Sequence, residues 1–261
     1  MTHSPLPDPP GADLGRVRDW VREAVQLSRP IAVLTGAGMS AESGVPTFRD
    51  ALTGLWAQFR PEELATEAAF RDRPQQVWDW YASRRAAVAG VEPNAGHRAL
   101  ATFQAREPGR LTLITQNVDG LHQAAGSPGV LALHGNLAED RWLDSPRACC
   151  DASVAAGTLT DACPPACPAC GNLRRPAVVW FGEFLPEQAL RDAETAARTC
   201  ALMLVVGTSG AVYPAAGLAF TAHQAGARVV VVNPEPSELD PVADVVLRGT
   251  AATLLPALLA P

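Results

Sequence analysis

Apolar residues recur along this chain in two alternating rhythms. Residues 13–28 place Leu14, Val17, Val21 and Val25 at helical spacing, which predicts an amphipathic helix. Ile31–Thr35 is a short, β-branched apolar run with the length of a buried strand. Residues 61–91 are strand-poor and helix-like around Phe70, Val77, Trp80 and Tyr81, a helical insert in the strand-and-helix alternation. Residues 96–105 read as a helix, Leu111–Thr115 as a second core strand, and 130–133 as a short strand. From 136 to 175 the pattern dissolves into Pro, Cys and small residues. Residues 177–181 are apolar again, 186–199 helical, and 201–206 a buried strand. A helix over 214–225, a strand over Arg228–Val232, a last strand over 244–247 and a C-terminal helix complete the order. Strands alternating with helices predict an α/β fold, a mostly parallel sheet with helices on both faces.

Polar chemistry gathers where these strands end. The first breaks into Gly36-Ala37-Gly38-Met39-Ser40-Ala41, which fits G-x-G-x-x-G/A. Glycines there let backbone N–H groups approach a pyrophosphate, although a glycine pair after a strand also makes an ordinary tight turn. No acidic residue closes a second strand in the usual dehydrogenase place; Pro46-Thr47-Phe48-Arg49 follows instead. Gln116-Asn117-Val118-Asp119 sits at the carboxyl end of the second strand, where open α/β sheets place ligands. Taken alone, Asn117 and Asp119 could be helix caps, and His134 a core or turn histidine.

Composition narrows the class. Hydrophobic residues make up 48% and charged residues 18% of the 261, enough for a sizeable core. A net charge of -6 speaks against nucleic-acid or membrane-surface partners. No apolar stretch is long enough to span a bilayer. The first twelve residues carry Pro5, Pro7, Pro9 and Pro10 and read as a disordered tail without the regions of a signal peptide, so a cytoplasmic location is expected. Five of the six cysteines fall between Cys149 and Cys170, more like a metal site than disulfides.

Taken together and in order, GAGMSAESGVPTFR, QNVDGLH, LHGN, CPAC, RRPAVVWFGE, GTS with VYPAA, and VVNPE resemble the sirtuin family of NAD-dependent protein deacylases. The resemblance runs from about Ile31 to the C-terminus. It implies one catalytic domain over 13–261 after a tail at 1–12. This would be a Rossmann-type large domain with a smaller one, made of a cofactor loop and helical module (37–94) and a zinc module (136–175). NAD would lie against Gly36, Ala37, Gly38, Ser40, Phe48, Arg49, Gln116, Asn117, Asp119, Gly207, Thr208, Ser209, Asn233, Glu235 and Ala251. His134 would be the general base, with Asn117 and Asp119 beside it. Val179, Trp180, Phe181 and Gly182 would pair with the substrate backbone and wall an acyl-lysine tunnel. The family's chemistry releases nicotinamide, captures the ribose carbon with the acyl oxygen, and yields acylated ADP-ribose and free lysine. A ribose hydroxyl must lose its proton near neutral pH, which suits an imidazole, and apolar walls must keep water out.

Tyr81 and Arg84 lie one turn apart on a predicted helix, a Tyr-x-x-Arg that resembles the sirtuin class removing succinyl, malonyl and glutaryl groups. A guanidinium grips a distal carboxylate bidentately while a phenol adds a hydrogen bond. Thr47 and Ala51 fit that class; for an arbitrary helix, a surface Arg beside a packed Tyr is the commoner case. Cys167-Pro168-Ala169-Cys170 is half of a tetrahedral zinc site. Trp142 and Ser145 stand where the family's other pair is expected. Adjacent cysteines in extended backbone point to opposite sides, so Cys149 and Cys150 are not expected to share an ion. The expected quartet is Cys150, Cys163, Cys167 and Cys170, a structural zinc; the alternative is a module held by packing without metal. The expected partners are acyl-lysine proteins or peptides, met by a monomer. Competing readings are mainly deacetylase, NAD-dependent protein ADP-ribosyltransferase, and a non-catalytic binding module.

Overall fold

The sheet is built from strands whose alternate residues serve two opposite cores. In a computed structural model describing residues 12–45 and 61–261, the strands are β1 (Ile31–Thr35), β2 (Leu111–Thr115), β3 (Leu131–Ala132), β4 (Gly135–Trp142), β5 (Arg174–Val178), β6 (Leu202–Val206), β7 (Arg228–Val232) and β8 (Val245–Leu247). The helices are α1 (Ala12–Gln26), α2 (Pro61–Leu64), α3 (Glu67–Asp72), α4 (Pro74–Val88), α5 (Ala95–Arg106), α6 (Leu121–Ala124), α7 (Ala148–Ala155), α8 (Glu187–Thr199), α9 (Gly217–Gln224) and α10 (Ala251–Leu259). Six strands form one parallel sheet in the order β3-β2-β1-β6-β7-β8.

Strand periodicity explains why both faces are covered. Ile31 and Val33, Leu202 and Leu204, Val230 and Val232 point to one face, against Val17 and Val21 of α1, Leu100 and Phe103 of α5, and Leu255 and Leu258 of α10. Ala32 and Leu34, Met203 and Val205, Val229 and Val231 point to the other, against Ala193 and Ala197 of α8 and Leu218 and Ala222 of α9. Small alanines at the second interface let the helices approach closely. Each large side chain so buried contributes about 1.5–3 kcal/mol.

Strand order reverses between β1 and β6: the chain runs outward through β2 and β3, returns across the sheet, and runs outward again through β7 and β8. The loops after β1 and β6 therefore diverge and leave a crevice at the carboxyl ends of the strands. A third apolar cluster lies away from the sheet, formed by Phe70, Val77, Trp80 and Tyr81 of the helical insert with Leu137, Val178 and Trp180. Here β4 and β5 pair antiparallel, with an irregularity between Asn136 and Asp140.

Most element bounds agree with the periodicity; 136–175 does not. It contains strand β4 and helix α7, and β5 begins at Arg174 rather than 177. GNLAEDRW has one neighbour strand and a register irregularity, so no apolar alternation marks it. α4 docks on this hairpin through Arg85, which donates to the Leu137 carbonyl at 2.7 Å and pairs with Asp140 at 2.5 Å.

Candidate active site

Five parallel strands deliver their carboxyl-terminal residues to the crevice. After β1, the Gly36 N–H donates to the Val206 carbonyl (2.9 Å) and the Gly38 N–H to the Gly207 carbonyl (2.8 Å). A Cβ at Gly36 would stand 2.7 Å from the Thr208 Cβ, and one at Gly38 would stand 2.8 Å from the Gly207 Cα. Gly207 itself has φ +62°, and a Cβ there would meet the Met39 nitrogen at 2.4 Å. The two loops interlock backbone to backbone, so glycine is required on both sides. Such a side-chain-free cradle suits the close approach of a dinucleotide's phosphates.

Behind this cradle lies a directed chain of hydrogen bonds. The Asn117 amide donates to the Gly36 carbonyl (3.0 Å) and to Ser40 Oγ (3.2 Å). The Ser40 hydroxyl then donates to Asp119 Oδ2 at 2.7 Å, and Asp119 Oδ1 accepts the Leu121 N–H at 2.9 Å. Asn94 caps α5, and its own N–H points at His97 Nδ1 (3.3 Å). That leaves His97 Nε2 as the protonated nitrogen facing Ser40 Oγ at 3.4 Å. His122 Nε2 lies 2.9 Å from Thr35 Oγ1, whose hydroxyl donates to Thr115 Oγ1 at 2.8 Å. Both imidazoles are buried, with ring centres 4.8 Å apart. Burial pushes the His97 pKa down to about 4, against the pull of Asp119, and that of His122 down to about 3. Both are neutral supports. The sequence reading did not single them out, although an Asn three residues before a His at a helix start was a capping signal.

His134 follows β3. Its Nδ1 lies 3.0 Å from the Gln116 carbonyl, so Nδ1 donates and Nε2 carries the lone pair. Burial lowers its pKa, opposed by that hydrogen bond, so the ring is neutral and able to accept a proton at pH 7. The His134 carbonyl accepts the Val179 N–H at 2.9 Å, which joins the imidazole's own backbone to the VVWFG segment. Gly135 permits this: at φ +82° a Cβ would stand 2.1 Å from the Ala177 carbonyl oxygen. Gln116 Nε2 donates to Thr208 Oγ1 (3.1 Å), and Asn233 Nδ2 reaches the Thr208 carbonyl (3.4 Å).

Other expected residues stand further out. Ala37, Ser209 and Glu235 are exposed. The loop after β7 is strapped by Arg248, which donates to the Glu235 carbonyl at 2.9 Å. Ala251 opens α10 with its side chain buried, and its backbone lies against Gly96. Phe48 and Arg49, with Thr47, Ala51 and the N-terminal tail, lie outside the described residues.

Trp180 is fully buried in the third cluster, while the next residues turn outward: Phe181 is 45% exposed and Gly182 has φ +87°. The Trp180 indole N–H donates to the Tyr81 oxygen at 2.9 Å. Arg84, half-buried on the same helix, lies 5.2 Å from the centre of the Trp80 ring. Beneath them Arg175 is almost wholly buried, 3.2 Å from the Trp180 ring centre and ion-paired with Glu183. Glu183 also accepts the Trp180 backbone N–H (2.8 Å) and an Arg141 N–H (2.7 Å). Burial would raise the Glu183 carboxyl, but hydrogen bonds from Arg175 and Trp180 outweigh it and hold its pKa below the usual value. The Arg175–Glu183 pair joins the charged ends of RRPAVVWFGE. Opposite charges bracketing an apolar run were the available signal.

The cysteine cluster corrects the expected quartet. Sγ atoms of Cys149, Cys150, Cys167 and Cys170 all lie within 4.8 Å of one another, and Cys163 is exposed and outside the group. Cys149 and Cys150 sit in the first turn of α7 rather than in extended backbone. Successive helical side chains diverge by roughly 100°, so both sulfurs reach one point. Zinc with bonds of about 2.3 Å holds its sulfurs roughly 3.8 Å apart, which these four can satisfy. The Cys150 and Cys170 sulfurs are already 3.5 Å apart. All four tetrahedral positions would be filled by sulfur, so such an ion has no open place for chemistry.

Residues 36–214 match the family model described as the Sir2 family. The chain belongs to this family. It is 57% identical over 245 residues to a Ralstonia nicotianae protein named NAD-dependent protein deacylase, covering 94% of this chain and 95% of that one. A Pseudomonas aeruginosa relative, NAD-dependent protein deacylase 1, is 49% identical over 251 residues, covering 92% and 98%. Among solved structures, a Sir2 homolog in complex with NAD superposes with a TM-score of 0.79 at 40% identity, covering 92% of each chain. A mutant Sir2 homologue bound to 2'-O-acetyl ADP ribose superposes at 0.78, also at 40% identity, covering 92% and 94%. The crevice described above thus belongs to a sirtuin fold.

Proposed function

We propose that this sirtuin removes acyl groups from protein lysines, consuming NAD and releasing nicotinamide and O-acyl-ADP-ribose. The observation that carries this reading is the junction at His134. A neutral imidazole with Nε2 free to take a proton is held by the Gln116 carbonyl, and its own carbonyl is bonded to the segment proposed to hold the substrate. NAD as co-substrate would lie on the Gly36–Gly38 and Gly207 cradle, its nicotinamide end toward Gln116, Asn117 and Asp119. Ser40 and His97 keep the Asp119 carboxylate oriented. His134 would remove the proton from a ribose hydroxyl once the acyl oxygen has captured the ribose carbon. Trp180 and Phe181 exclude water from that step. Cys149, Cys150, Cys167 and Cys170 would hold a structural zinc.

Within this activity, acidic acyl groups are the preferred substrates and acetyl a secondary one. Tyr81 and Arg84, one turn apart on the helix that backs Trp180, are a phenol and a guanidinium suited to a distal carboxylate, which supports that preference. The free cysteines suit a reducing cytoplasm, and no helix among the described residues is long and apolar enough to cross a membrane.

The direct test is a panel of acetyl-, malonyl-, succinyl- and glutaryl-lysine peptides incubated with NAD and followed by mass spectrometry. Nicotinamide release that depends on an acyl peptide is expected. Release without one, with ADP-ribose appearing on protein, would favour ADP-ribosyl transfer. In the same assay His134→Ala is expected to lose about 10²–10⁴-fold in kcat, with NAD still bound by calorimetry.

A further inference from the structure

Tyr81 is a buried phenol whose two hydrogen-bonding roles are unequally filled. Its oxygen accepts the Trp180 indole N–H at 2.9 Å, and the residue is 3% exposed. Its own hydroxyl proton meets no acceptor among the described residues. An indole N–H is a donor only, so Trp180 cannot receive that proton. A buried donor without an acceptor is costly and therefore selects a ligand that supplies one. Burial also pushes the Tyr81 pKa up to about 12, so the phenol keeps its proton through any ordinary assay.

The indole itself has little freedom. One face meets the Arg175 guanidinium 3.2 Å from its centre, the Phe70 ring lies 5.2 Å away, and the residue's backbone N–H is held by Glu183 at 2.8 Å. Arg175 is in turn held by Glu183 and by the Val178 carbonyl at 2.7 Å. A rigid donor thus occupies the acceptor side of a mobile hydroxyl. We infer that Trp180 is a positioning residue for acyl selection: by occupying the phenol's lone pair it leaves the Tyr81 O–H to act as a donor toward the distal carboxylate of an acidic acyl-lysine, beside Arg84. A carboxylate accepts that proton, whereas an acetyl methyl cannot. This rests on the acidic-acyl reading above and adds a residue to it.

Kinetics of succinyl- and acetyl-lysine peptides under saturating NAD test it with four proteins: parent, Tyr81→Phe, Trp180→Phe and the double variant. Tyr81→Phe is expected to lower the succinyl-to-acetyl ratio of kcat/KM about tenfold, and Trp180→Phe about three- to tenfold, through the succinyl KM. Adding Trp180→Phe to Tyr81→Phe is expected to change the ratio no further. Benzothienylalanine at position 180 keeps the indole's shape without its N–H, and should reproduce the Trp180→Phe ratio in a protein of unaltered packing. An equal loss on both peptides, or a ratio effect of Trp180→Phe that persists in the Tyr81→Phe background, overturns the proposal. So does a normal ratio with the isostere while Tyr81→Phe lowers it. A ratio untouched by Tyr81→Phe overturns the acidic-acyl reading and this inference with it.

Discussion

The main sheet and the small module around Trp180 hold their shapes by different means. In the sheet, Val, Ile and Leu fill both faces, and the buried polar residues Thr35 and Thr115 stand where strands end. In the module ten buried residues form the apolar cluster, and charge and sulfur supply the rest. Arg175 pairs with Glu183, Arg85 with Asp140, and four cysteines converge. A large apolar core carries geometry through backbone ladders and tolerates a polar site at its rim. A small one needs strong directional interactions, and removing one partner leaves a buried charge or thiol stranded.

That contrast can be broken most severely at the cysteines. Structural zinc contributes about 10–16 kcal/mol in zinc-finger peptides, so a chelator should release one ion and open α7 and residues 163–173. The sheet amides should stay protected, as read by metal analysis with hydrogen exchange. Full protection after metal loss would mean packing alone holds the module.

Glu183→Ala comes next. Stranding the buried Arg175 should cost about 3–5 kcal/mol, seen as faster exchange across 174–183 with the β1 and β6 amides unaltered. Equal losses in both regions would show that they unfold as one. Smaller again is Arg84→Met, which should remove about 1.5–3 kcal/mol of transition-state binding from succinyl-lysine and leave acetyl-lysine kcat/KM nearly intact.

A change of pH instead acts on the sheet side. His97 and His122 bind protons less readily folded than unfolded, so acid favours the unfolded chain. Their contribution is complete above the unfolded value of 6.5 and is lost as pH falls from there toward about 4 for His97 and about 3 for His122. Each adds about 1.4 kcal/mol per pH unit within its window. Urea titrations between pH 7 and 4 should show that slope, and His122→Gln should flatten it.

β1, β2 and β7 stand at the bounds their apolar runs predict, because a strand covered on both faces reads as a nearly continuous apolar run. Glycines after β1 and β6 were visible for a similar reason: only glycine fits where two loops interlock. β4 was hidden because a polar strand with one neighbour needs no alternation, and the Cys149–Cys150 pair was misplaced because the turn of α7 has no apolar signature. What sequence by itself determined was therefore the parallel sheet, the order of its strand-end motifs, and the glycines after β1 and β6. Only the tertiary structure decided which cysteines converge, that Arg175 is buried against Glu183, and that Trp180 reaches Tyr81 across 99 positions of chain. Short-range pattern reports what a residue does for its own helix or strand. Contacts between distant elements depend on how those elements dock, and no local spacing records that.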